Sequence, residues 1–276
     1  MMALPVTRSL PSHLAPVVEE LELEQTFLVT MEDVRRIALG RGLKTDAAKI
    51  ADGLRNRGWL LKTEWKGIWE FAPGAHAGPF GRGHPFRSVV AARLAEPRLD
   101  IAVCLNSALW AHGLLDGAPD RPEVAVPQRV YVPKALERGC RVVRFGARLP
   151  TVELRDVPVH PLPTVLVHLA TRPSDVRSWG TVLDALPELV GAVLEPGSRE
   201  QLDGELKGRP AAVRTRLAYL VHGVAPKLAM RLATPGRGVV WFGSRGPLKR
   251  HHAGLQVADT VLPMAPGELR SEEPRR

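Results

Sequence analysis

The sequence has no uninterrupted apolar stretch of the roughly 18 to 20 residues needed to cross a bilayer, so no membrane role is expected. The N-terminal MMALPVTRSLPSH lacks an apolar core of signal-peptide length, which points to a cytoplasmic protein rather than an exported one. Cysteine is scarce: Cys104 and Cys140 sit in unrelated contexts, with no CxxC and no histidine at ligand spacing. Reduced thiols are therefore expected, with no structural zinc and no metal site of any kind. There is no Walker loop, and no G-x-G-x-x-G follows a strand. GPFGRGHP (78–85) is Gly-rich but opens no strand-to-helix turn, so it reads as linker. No cofactor is implied, and no catalytic residue stands out.

What is present is an ordinary globular composition over 276 residues, with 45% hydrophobic and 24% charged residues, enough for two domains. The formal net charge is +9, which favours a polyanionic partner, nucleic acid first. The charge is unevenly placed. Residues 1–34 carry one basic residue against six acids, whereas residues 35–67 carry nine Lys or Arg against three acids. A second block, residues 206–250, carries ten Lys or Arg and no acid.

Hydrophobic periodicity predicts a helix over 13–25 with Leu14, Val17, Val18 and Leu21 inward. After a short extended piece, Thr30-Met-Glu-Asp33 resembles a capping box and opens a second helix, with Val34, Ile37 and Ala38 inward and Arg35 and Arg36 outward. Thr45 is expected to cap a third helix from Asp46 to Arg57, with Gly58 just beyond its end. WLLKTEW and IWEF then read as a hairpin with Lys66-Gly67 at the turn. Three helices followed by a hairpin is the order of a winged helix-turn-helix. The fold expected is α+β: a winged helix-turn-helix over 1–72, a Gly/Pro-rich linker over 73–85, a larger mixed α/β domain over 86–262 and a frayed tail over 263–276. In the second domain, helices are expected at 86–96, 105–115, 162–170, 179–194, 199–207 and 210–222. Strands are expected at 123–127, 129–133, 141–145, 239–243 and 256–262.

In the third helix, Ala47, Ile50, Ala51 and Leu54 form the buried stripe. The outward face then carries Thr45, Asp46, Lys49, Asp52, Gly53 and Asn56, flanked by Arg55 and Arg57. Lys and Arg match guanine O6/N7, and Asn matches adenine bidentately, so this face suits a major groove. Gly53 would let a groove wall come close. The candidate DNA-binding residues are Thr45, Lys49, Arg55 and Asn56 on the helix, Lys62 and Lys66 on the wing, and Arg35 and Arg36 for phosphate. Trp59, Trp65, Trp69 and Phe71 are expected to pack beneath the wing rather than stack on bases. From the second basic block, Arg214, Arg216, Lys249 and Arg250 form a candidate second DNA-contacting surface.

Other chemistries find less support. Nucleotidyl transfer needs paired carboxylates in D-x-D spacing, and Val261 stands where a partner of Asp259 would be. His251 and His252 are adjacent on a strand and face opposite sides, a poor arrangement for chelation. Cys104 lies near Ser107 and His112 without an acid partner and reads as a small buried hydrophobe. An adaptor that binds only proteins would show no salt-dependent affinity for DNA.

Taken in order, GLRNRGWLLKTEWKGIWEFAPG (53–74), NSALWAHGLLD (106–116) and HLATRPSDVRSW (168–179) resemble the AbiEi family, and the resemblance extends from about residue 13 to about residue 262. Members of that family are transcriptional regulators that act as antitoxins of type IV toxin–antitoxin systems. The resemblance implies a repressor of its own operon that binds inverted repeats in promoter double-stranded DNA. It also implies a C-terminal domain that opposes, directly or indirectly, a nucleotidyltransferase-like toxin encoded alongside. Stand-alone regulators without a toxin occur in the same family.

Overall fold

The computed structural model describes residues 10–73, 83–234 and 238–269. The chain is α+β and divides into two compact units, Met1–Leu99 with Val132–Cys140, and Asp100–Tyr131 with Arg141–Arg276.

The first unit opens with α1 (Ala15–Leu23), β1 (Leu28–Thr30), α2 (Met31–Gly40), α3 (Ala47–Asn56), β2 (Leu60–Lys62), β3 (Ile68–Phe71) and α4 (Arg87–Ala95). Local chemistry sets several of the helix ends. Thr30 and Asp33 close a capping box at the start of α2. Gly42 and Gly58 adopt positive φ just past the C-caps of α2 and α3. The amides that follow, Leu43 and Trp59, then turn back to the carbonyls of Ala38 and Leu54, each at 2.9–3.0 Å. Leu14, Val17, Leu21, Val34, Ile37, Ile50 and Leu54 form one core with Trp59, Trp69 and Phe71. The four aromatics expected beneath the wing are all buried.

The sheet has three strands rather than the two of the expected hairpin. Its order is β1-β3-β2, all antiparallel, with Val29 opposite Trp69 and Lys62 opposite Trp69 from the other side. α4 also belongs with this unit. Arg87 pairs with Glu70 of β3 at 2.6 Å and with Glu64 of the hairpin turn at 3.4 Å, while Ser88 Oγ donates to Glu64 at 3.2 Å. The expected linker falls largely on residues 74–82, which lie outside the described residues. At its far end, the His84 ring stacks on Phe27 with centroids 4.6 Å apart.

The second unit contains β4 (Ala102–Val103), α5 (Leu105–Ala111) and β5 (Glu123–Val126). After α6 (Lys134–Gly139), which belongs to the first unit, come β6 (Arg141–Arg144), β7 (Val152–Leu154), β8 (Val157–Val159) and α7 (Leu162–Thr171). Next are α8 (Trp179–Leu194), α9 (Ser198–Leu206), α10 (Ala211–Val221) and α11 (Pro226–Leu232), then β9 (Val240–Phe242), β10 (Arg250–His252) and β11 (Val257–Asp259). One mixed sheet runs β6-β5-β4-β8-β7 and a smaller one runs β10-β11-β9. The apolar helix α7 is buried along almost its whole length and packs against α5, α8, α9 and α10.

Two expectations for this unit are corrected. No strand forms at 129–133. Val130 N–H donates to Pro127 O in a turn, and Pro133 has no amide with which to pair. The tail is not frayed from 263 onward. Pro266 is buried, and its carbonyl lies so close to Gly223 that a Cβ there would meet it at 1.8 Å. Residues 270–276 lie outside the described residues. No helix among the described residues is long and apolar enough to cross a membrane.

Candidate nucleic-acid interface

The N-cap of α3 is Asp46, not Thr45. The Asp46 carboxylate accepts the Ala48 amide at 2.6 Å. Ile50, Ala51 and Leu54 bury one stripe, as the spacing requires. At about 100° per residue, Lys49, Asp52 and Asn56 fall on the opposite line, Thr45 stands one residue ahead of the N-cap, and all four are exposed. Lys49 and Asn56 are separated by about 10 Å of helix rise, a length comparable to three stacked base pairs. Arg55 lies to one side and pairs with Asp52 at 3.1 Å.

Gly53 does not belong to this outward line. A Cβ at Gly53 would stand 3.1 Å from the Leu14 side chain, so the missing side chain allows α1 to approach α3 rather than admitting a groove wall. The Gly53 carbonyl accepts Arg57 Nη1 at 3.0 Å.

Lys62 on β2 and Lys66 in the hairpin turn are both exposed. The turn itself is anchored. Thr63 Oγ1 donates to Ile68 O at 2.7 Å, and Met31 N–H donates to Gly67 O at 3.1 Å. A rigid turn therefore presents Lys66 beside the start of α2.

Arg35 and Arg36 are both exposed on α2, but Arg36 is engaged in ion pairs. It closes on Glu24 and also approaches Asp33 at 3.6 Å. The Arg36 hydrogen bond holds the Glu24 carboxyl below its usual range. Lys44, in the turn before α3, is a further exposed cation that periodicity did not single out. Only its position, one residue ahead of Thr45, would have marked it.

The second basic set does not form a free surface. Arg216 Nε donates to Trp241 O at 2.6 Å, and Arg214 Nη2 donates to Leu206 O at 3.2 Å. Lys249 Nζ donates to Val261 O at 3.0 Å. Arg250 bonds the carbonyls of Leu262 and Pro263 and pairs with Asp259 at 3.3 Å. These cations close the carbonyls of α9 and of the β9–β11 region, where unpaired buried acceptors would be costly. Asp259 is itself fully buried. It accepts from Tyr219 Oη and from the amides of Val261 and Leu262, the bonding pattern of a structural carboxylate. Among the described residues, no group of three or more His, Cys, Asp or Glu could hold a metal ion.

The second unit has a buried polar centre that sequence reasoning missed. Glu205 accepts from Arg148 N, Leu149 N and Thr164 Oγ1 and pairs with Arg209. The His168 ring stacks on Phe145 with centroids 3.9 Å apart, and His160 meets Phe145 edge-on. Burial pushes His160 down to about 4 and His168 well below its usual value.

Residues 101–223 match the family model of the AbiEi antitoxin C-terminal domain. That stretch is thus similar to an AbiEi-type antitoxin domain. It holds Glu123, the His160–His168–Glu205 centre, Arg214 and Arg216, whereas α3 and the hairpin lie outside it. No curated protein matches the chain. Over 94% of both chains, the fold is that of the RV2827C protein from Mycobacterium tuberculosis, known from a crystal structure, with a TM-score of 0.78 and 24% identity.

Proposed function

We propose that the protein is a sequence-specific DNA-binding repressor of its own operon and an antitoxin to a nucleotidyltransferase-like toxin. On this reading, residues 1–72 are a winged helix-turn-helix with α3 as the recognition helix and the β2–β3 hairpin as the wing. The antitoxin domain, expected over 86–262, is on this reading the second unit, Asp100–Tyr131 with residues 141–262. One observation carries the DNA-binding half: Lys49 and Asn56 share an exposed line on α3, directly opposite its buried stripe, with Thr45 exposed just ahead of the N-cap. The base-reading groups are therefore presented outward by a helix whose other face is fixed in a core. Lys62, Lys66, Lys44 and Arg35 are the phosphate contacts, and phosphate contacts dominate affinity. The match of residues 101–223 supports the antitoxin half.

Two measurements test this. The protein should retard duplex DNA from upstream of its own coding sequence in preference to scrambled duplex, with affinity falling steeply as salt rises. Co-expression should restore growth to cells expressing a nucleotidyltransferase encoded beside it. Equal retardation of both duplexes would remove the sequence-specific reading.

A further inference from the structure

Asp52 stands in the middle of the exposed line on α3, between Lys49 and Asn56, with 60% of its side chain accessible. A carboxylate there repels phosphate, so it lowers affinity for every duplex. Folding gives little reason to keep it. Its ion pair with Arg55 joins two accessible side chains at i,i+3, and such pairs contribute little to stability. The pair does have a geometric effect. Position 55 lies about 60° around the helix from position 52, off the outward line, and the contact at 3.1 Å draws the guanidinium back toward it.

We infer that Asp52 and Arg55 act together to read one G·C base pair: Arg55 donates to guanine O6 and N7, and Asp52 is the positioning residue that holds its guanidinium over the groove. This rests on the reading of α3 as a recognition helix. The chemistry fits. A guanidinium has five N–H donors in a rigid fork, and the contact to Asp52 engages one nitrogen, leaving donors for the two acceptors of guanine. The same carboxylate penalises duplexes that lack the guanine, because there its repulsion of phosphate is not offset. Asp52 thus exchanges raw affinity for discrimination.

The test is selection of bound duplexes from a random-sequence pool, using full-length wild type, Asp52→Ala, Arg55→Ala and the double variant. Anisotropy titrations follow on the selected site with each G·C pair replaced in turn. The wild type should prefer one G·C pair by about tenfold or more. Asp52→Ala and Arg55→Ala should each lose that preference at the same pair, and the double variant should lose no more. Asp52→Ala should bind random duplex at least as tightly as wild type, an outcome that loss of structure would not produce. Undiminished discrimination in Asp52→Ala would overturn the inference. So would discrimination that survives Arg55→Ala but not Asp52→Ala, since Asp52 would then read cytosine itself. A wild type that selects no motif would overturn the recognition-helix reading, and this inference with it.

Discussion

Arg36 closes on Glu24 with both terminal guanidinium nitrogens, at 2.7 and 2.9 Å, and so ties α2 to the end of α1. Its neighbour Arg35 carries the same charge but points to solvent. The two arginines should therefore behave differently on DNA. Arg35→Ala should lower the slope of log affinity against log salt by about one, the signature of one lost phosphate contact. Arg36→Ala should leave that slope unchanged. Binding titrations at several salt concentrations check both.

The Asp46 cap makes a second prediction. Asp46→Ala should destabilise the protein by about 1 kcal/mol, because the Ala48 amide loses its acceptor. Thr45→Ala should be nearly neutral for folding while still weakening DNA binding. Chemical denaturation of the two variants separates the roles.

These cases also show which parts of the structure were legible in the sequence. The Thr30–Asp33 box and the buried stripe of α3 were readable because both depend on residues within one or two helical turns. The choice between Thr45 and Asp46 was not, since adjacent residues of capping type are equivalent until the backbone declares which one precedes the first turn. Pairing of β1 with β3 brings Leu28 against Glu70, a contact between distant segments that no local pattern encodes. The Arg36–Glu24 pair spans two helices in the same way. The bonding of the second basic block was not legible for a further reason. The acceptors of Arg216, Lys249 and Arg250 are mostly backbone carbonyls, which have no signature in a sequence.

The buried histidines give a pH prediction. Burial lowers the folded-state value of His160 to about 4, against 6.5 ordinarily, and lowers that of His168 as well. The unfolded chain therefore binds more protons than the folded one, and stability must fall as pH drops below 6.5 toward 4. His160 alone would account for about 3 kcal/mol across that window. Urea unfolding between pH 7 and pH 5 should show the onset, and His160→Gln should reduce it, leaving the part that His168 contributes.

Arg250 should matter to folding and not to DNA. Removing its guanidinium leaves the buried Asp259 without its cationic partner, and Arg250→Ala should cost about 2 kcal/mol. The same variant, assayed well below its melting temperature, should bind upstream DNA with the wild-type salt slope. A reduced slope would restore this region as a phosphate-contacting surface.

The central claim is that the exposed line of α3 enters a groove, and Lys49→Glu tests it most directly, by anisotropy on the upstream duplex. Lys49 is exposed, so the variant should unfold at the wild-type temperature yet lose all sequence-specific binding. A folded Lys49→Glu protein that binds the upstream duplex as tightly as wild type would contradict the account.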